Sequence, residues 1–128
     1  MKKRYVMLSF FTVCFLLMST LSYADDNKAA ISSMSNIMLH LNHYPSDSEK
    51  KQLSKFISNS SLNGNVRTMA KAMTDLEHKA TDSDKKKLSA IIDDKSASAD
   101  EKTLAMVIRN LNHTPSDADK QKLQEIVK

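Results

Sequence analysis

The sequence predicts an all-α protein: three tandem 35-residue helix-turn-helix units forming a short solenoid or a six-helix bundle. Three observations carry this expectation. Leu41 to Leu53 and Leu111 to Leu123 are identical at eight of 13 positions, and Leu76 to Leu88 sits midway in the same register. Apolar residues recur at i, i+3, i+4 and i+7, which is the spacing of one helix face. No segment sustains the apolar/polar alternation of a strand.

The offset is 35 at each step and needs no gap: His43, His78, His113; Asp47, Asp82, Asp117; Leu53, Leu88, Leu123. Self-similarity at such a period marks a repeat protein, because one unit of two short helices cannot bury its apolar stripe alone. The units are 30–64, 65–99 and a shorter 100–128, within one domain spanning 25–128.

The first helix of each unit carries the stripe Met34, Ile37, Met38, Leu41, repeated as Met69, Ala72, Met73, Leu76 and as Leu104, Val107, Ile108, Leu111. Pro45 and Pro115 then break the helix, since proline disfavours α conformation in the residue before it. Ala80 holds that place in unit two. The second helix opens on a capping box at Ser46–Glu49, Thr81–Asp84 and Ser116–Asp119. The hydroxyl accepts an early backbone N–H and the acid reaches back, glutamate better than aspartate. Its apolar face is Leu53, Phe56, Ile57; Leu88, Ile91, Ile92; Leu123, Ile126, Val127. Linkers 58–64 and 93–99 are polar, and Ser98–Glu101 offers a further capping box. The period is similar to that of tetratricopeptide and pentatricopeptide repeats. The resemblance stops at the period: the chain lacks tryptophan and a Leu-Gly pair in the first helix, and its proline lies in another turn.

Residues 1–24 read as a cleaved secretory signal peptide. Lys2, Lys3 and Arg4 precede an uncharged run from Val6 to Leu21, and Ser22-Tyr23-Ala24 supplies small residues for cleavage after Ala24. The run is shorter than the roughly 20 residues that span a bilayer. The expected location is the periplasm or outside the cell, with no membrane association after processing. Cys14 leaves with the signal, so the mature chain has no disulfide or thiol nucleophile. Residues 25–128 hold 16 Lys and Arg against 15 acids, a net charge of +1 where the precursor has +4. That balance, with Tyr44 and Phe56 as the only mature aromatics, argues against nucleic acid.

Three histidines at equivalent positions have the residue type of a zinc site, since imidazole is the commonest metal ligand. Zinc bonds of about 2.0–2.1 Å need the donors within roughly 4 Å of each other. Neighbouring stacked helices stand about 8–10 Å apart. On that spacing His43, His78 and His113 are expected to end their helices and bond the last carbonyls, and a metal or small ligand at these turns is the alternative. His40 has no copy and is expected at the surface. His43, Ser46 and Asp47 have the residue types of a hydrolase triad, but the serine is committed to capping and no glycine-rich elbow supplies an oxyanion hole. No phosphate loop or dinucleotide fingerprint is present. The chain is therefore read as no enzyme, with no cofactor.

The lysine ridge Lys50, Lys51, Lys55, Lys85, Lys86, Lys87, Lys120 and Lys122 is read as a solvated face paired with the aspartates at the helix start. The turns of units one and three nearly match, so Asn42, His43, Pro45, Asp47, Asn112, His113, Pro115 and Asp117 form the candidate partner-binding set, with unit two as spacer. The expected function is binding another protein, as an inhibitor or immunity protein, an adaptor or a stress chaperone. The five mature methionines are expected to form an adaptable apolar surface.

Overall fold

The computed structural model describes residues 23–128. The charged start and apolar run of the expected signal, with Cys14 and Ser22, lie outside the described residues. Tyr23 and Ala24 stand at the described start of the first helix. No helix among the described residues is long and apolar enough to cross a membrane.

Among the described residues six helices follow one another: α1 over 23–39, then α2 (Asp47–Ser58), α3 (Gly64–Thr74), α4 (Asp82–Asp93), α5 (Ala99–Asn110) and α6 (Asp117–Val127). The starts of α2 to α6 are set by side chains that satisfy orphan N–H groups. Ser46 and Ser98 make complete capping boxes with Glu49 and Glu101. Thr81 and Ser116 accept the N–H of Asp84 and Asp119. The shorter Asp84 carboxylate instead accepts the Thr81 hydroxyl at 2.8 Å. Asn63, three residues before Val66, caps α3 by accepting its N–H.

The second helix of each unit packs on the first helix of the next. Helix α2 meets α3 and α4 meets α5, and α6 returns to α1. The chain is therefore a closed six-helix bundle with approximate threefold symmetry, and the open solenoid is set aside. Burial shows which helices lie inside. Met34, Met38, Met69, Met73, Leu104 and Ile108 are all at 0% exposure. Each outer helix adds one anchor at the shared position, Leu53, Leu88 or Leu123, also at 0%. The outer faces are shallower than the stripe predicted: Phe56, Ile57, Ile92 and Ile126 only flank the core, and Val127 is 37% exposed.

The expected methionine surface is corrected by this packing. Four of the five methionines are core and not surface, because the inner helices meet one another as well as their outer partners. The inner helices also bury a second row, Ser35, Ala70 and Ala105. Small residues in that row let the inner helices approach. Ser35 is the odd member, its buried hydroxyl unpaired among the described residues.

Candidate metal centre at the end of the bundle axis

Each inner helix ends before its histidine. Helices α3 and α5 stop at Thr74 and Asn110, and His78 and His113 follow in the turn. The expected role of ending the helix and bonding its last carbonyls is not what these residues do. The unrepeated, exposed His40 takes that role, its Nδ1 lying 3.0 Å from the Asn36 carbonyl.

The three histidines instead sit at the centre of a tight turn. The N–H of Tyr44 donates to the Asn42 carbonyl at 3.0 Å, and Thr114 does the same to Asn112 at 2.9 Å. Such an i+2 to i bond around a central residue of positive φ is the rarer, strained γ-turn. The φ angles of His43, His78 and His113 are 71°, 70° and 69°. Left-handed backbone costs a non-glycine residue on the order of 1 kcal/mol. Glycine would relieve it, yet the chain's one glycine, Gly64, opens α3 in open space. Three histidines therefore stand where the backbone favours glycine.

Closure of the bundle brings these turns together on the axis. The His78 N–H donates to the His43 carbonyl at 3.2 Å, and the His113 N–H to the His78 carbonyl at 2.7 Å. The rings face inward like blades, with centroids 4.9 to 5.4 Å apart. The Nδ1 atoms lie 3.2 Å apart for His43–His78, 3.2 Å for His78–His113 and 3.3 Å for His43–His113. The 8–10 Å expected from helix spacing is overturned. That spacing describes helix axes, whereas these side chains leave the helix ends and converge.

This triangle fits a small cation. Tetrahedral zinc with bonds of about 2.0–2.1 Å sets its ligand nitrogens roughly 3.3–3.4 Å apart. The three imidazole nitrogens would fill three of the four ligand positions that tetrahedral zinc takes, leaving the fourth to another donor. His43, His78 and His113 are the group among the described residues that could hold a metal ion, and each offers one ligand atom.

Without an ion the arrangement is frustrated. Each Nδ1 carries either a proton or a lone pair. A close contact between two of them is favourable only when one has the proton and the other the lone pair. Three atoms in mutual contact cannot all differ, so at least one pair must oppose like with like. A cation resolves this by accepting three lone pairs at once.

The remaining candidate residues do not join the centre as ligands. Asn42 and Asn112 are exposed and give their carbonyls to the turn, while Asp47 and Asp117 are exposed in the first turns of α2 and α6. Pro45 and Pro115 are buried, as is Ala80 at the same position, so these prolines shape the turn and offer no surface. Unit two is no spacer, because His78 stands as close to the axis as its two copies. Among the lysines, Lys87 and Lys122 approach Asp84 and Asp119 at 4.0 and 3.2 Å. These partners lie in the first turns of α4 and α6, at the third helical position. Lys50 stands 5.8 Å over the Tyr44 ring. The Ser46 hydroxyl caps α2. A groove of about 710 Å³ beside the unit-two turn is lined by both charge signs, including Lys50, Glu77, Asp82 and Lys85.

No family model, curated protein or solved structure matches this chain.

Proposed function

We propose that this protein binds one divalent transition-metal ion through Nδ1 of His43, His78 and His113. Zinc and copper head the ions that an all-imidazole donor set suits. The observation that carries the reading is the Nδ1 triangle with sides of 3.2, 3.2 and 3.3 Å. The strained φ at all three ligands supports it, since strain of this kind persists where a function uses it. The N-terminal pattern of residues 1–24 favours an exported protein, which would meet metal outside the cytoplasm.

Calorimetric titration of the purified protein with zinc tests the proposal. The expected result is one ion per chain, with affinity reduced at least about 100-fold by any one of His43→Ala, His78→Ala or His113→Ala. The floor follows from the 10–100-fold lost when even an outer-shell partner of a metal ligand is removed. Unchanged uptake by the triple variant would refute the reading.

Protein binding, as an inhibitor, adaptor or chaperone, is a second reading favoured by one feature. Tyr44 is 58% exposed beside the histidines, and exposed tyrosine is a common anchor at interfaces. On that reading Tyr44→Ala weakens a protein partner and leaves zinc affinity unchanged.

A further inference from the structure

We infer that the histidine centre is a handover site, passing its ion to an acceptor through the open fourth vertex. This rests on the metal-binding reading above and goes beyond it by assigning the direction and route of exchange. Three features of the centre carry the inference.

The donor set is incomplete for storage. Structural zinc sites close with four protein ligands, while three protein ligands leave a fourth position for water or an incoming donor. The cluster has three ligand residues, and no fourth His, Cys, Asp or Glu joins it among the described residues. The three imidazoles are neutral donors, so the ion keeps its full positive charge and attracts an electron-rich fourth donor.

The site is also reachable. The contacts among the three Nδ1 atoms lie in exposed surroundings at the end of the bundle. An acceptor side chain can meet the ion without any helix moving.

Finally, the ligands are weakly braced. Metal-bound histidines are ordinarily held by a hydrogen bond from the second ring nitrogen to a carboxylate or carbonyl. Here the hydrogen bonds of these rings, among the described residues, are with one another through Nδ1. Each Nε2 lacks a protein partner there, so each ring can turn away once its bond to the ion breaks.

The transfer then runs in order. An imidazole or thiolate of the acceptor donates a lone pair to the ion at the open vertex. The Nδ1–metal bonds break one after another as further acceptor donors bind, and each imidazole keeps its lone pair. The oxidation state of the metal does not change, and an acceptor thiol releases its proton to solvent.

The test mixes zinc-loaded protein with the coloured chelator 4-(2-pyridylazo)resorcinol in a stopped-flow instrument, with helix content followed by circular dichroism. Handover through the open vertex predicts a rate that rises in proportion to chelator concentration while helix content is retained. A rate independent of chelator concentration would mean that the ion leaves before the acceptor arrives, and would overturn the handover alone. A chain that takes up no zinc in the preceding calorimetry overturns the metal-binding reading and the handover with it.

Discussion

The two ends of the bundle are built on opposite principles. At the histidine end the three units are alike: the same residue, the same φ within 2° and near-equal distances across the axis. At the linker end the equivalent positions differ. Positions 28, 63 and 98 are Lys, Asn and Ser, and positions 31, 66 and 101 are Ile, Val and Glu. There a unique network holds the chain. Asn63 Nδ2 donates to Glu101 at 2.7 Å, the Asn63 N–H donates to Asn27 Oδ1 at 2.9 Å, and Asn65 Nδ2 reaches both Glu101 and Asp94 at 3.3 Å. Glu101, only 4% exposed, is satisfied by these neutral donors and by its own cap. A linker needs only paired polar groups, and many residue combinations supply them. A centre where three ligands meet one ion needs symmetry, because a single displaced turn removes a ligand.

The comparison breaks most sharply at the histidines. Replacing all three with alanine abolishes any rise in melting temperature on adding zinc. At a zinc concentration 100 times Kd the wild-type chain gains about 2.7 kcal/mol, roughly 10 °C or more for a domain of this size. Scanning calorimetry with and without zinc measures the difference, and an equal rise in the variant would count against the centre.

At the linker end the expected effect is smaller and independent of metal. Glu101→Ala strands the Asn63 amide, leaves Asn65 with Asp94 alone and removes half of a capping box, at a cost of about 1–3 kcal/mol. Urea denaturation reads this cost, while the calorimetric zinc affinity stays as it was. A loss of zinc binding in that variant would show that the two ends are not separable.

Ser35 lies between the two ends and tests the symmetry of the core. Its hydroxyl is buried without a partner where the other units have Ala70 and Ala105. Ser35→Ala therefore raises stability by about 1 kcal/mol, because burying an unpaired hydroxyl is unfavourable. A destabilised variant would mean that the hydroxyl has a role in the inner row.

The smallest effect is electrostatic. Hydrogen bonds from the Ser96 hydroxyl and N–H, and then from Asn65, hold the Asp94 carboxyl below its ordinary value. A depressed folded value contributes stability that is present above the unfolded pKa and is lost as the pH falls through the folded one. Ser96→Ala moves the Asp94 titration upward towards the usual carboxylate range and shrinks that contribution, as an NMR titration of the carboxyl would show. An unmoved titration would mean that the backbone N–H of residue 96 and Asn65 set the shift without the hydroxyl.

Much of this architecture was legible in the sequence because periodicity is a local property. The 35-residue offset, the stripes from Met34 to Leu111 and the caps at Ser46, Thr81, Ser98 and Ser116 all follow from neighbours a few residues apart. Closure is not local. It depends on the angle between each outer helix and the next inner one, and that angle is set by packing of side chains from different units, down to the small row at Ser35, Ala70 and Ala105. Without closure, equivalent histidines fall at helix spacing and a shared ligand looks excluded. The signal that pointed the other way was His78. Unit two changes Asn42 to Glu77, Tyr44 to Lys79 and Pro45 to Ala80 relative to unit one, yet keeps the histidine. A residue held only to end a helix has no reason to survive when the rest of its turn is replaced.

The central claim is that three repeats close around an axis and bring three imidazoles onto one ion. Anomalous diffraction from crystals of the zinc-loaded protein tests it most directly. The account predicts a single zinc peak bonded to Nδ1 of His43, His78 and His113 at about 2.0–2.1 Å, with a fourth, non-protein position. Histidine rings standing 8–10 Å apart, or zinc bound elsewhere on the chain, would contradict it.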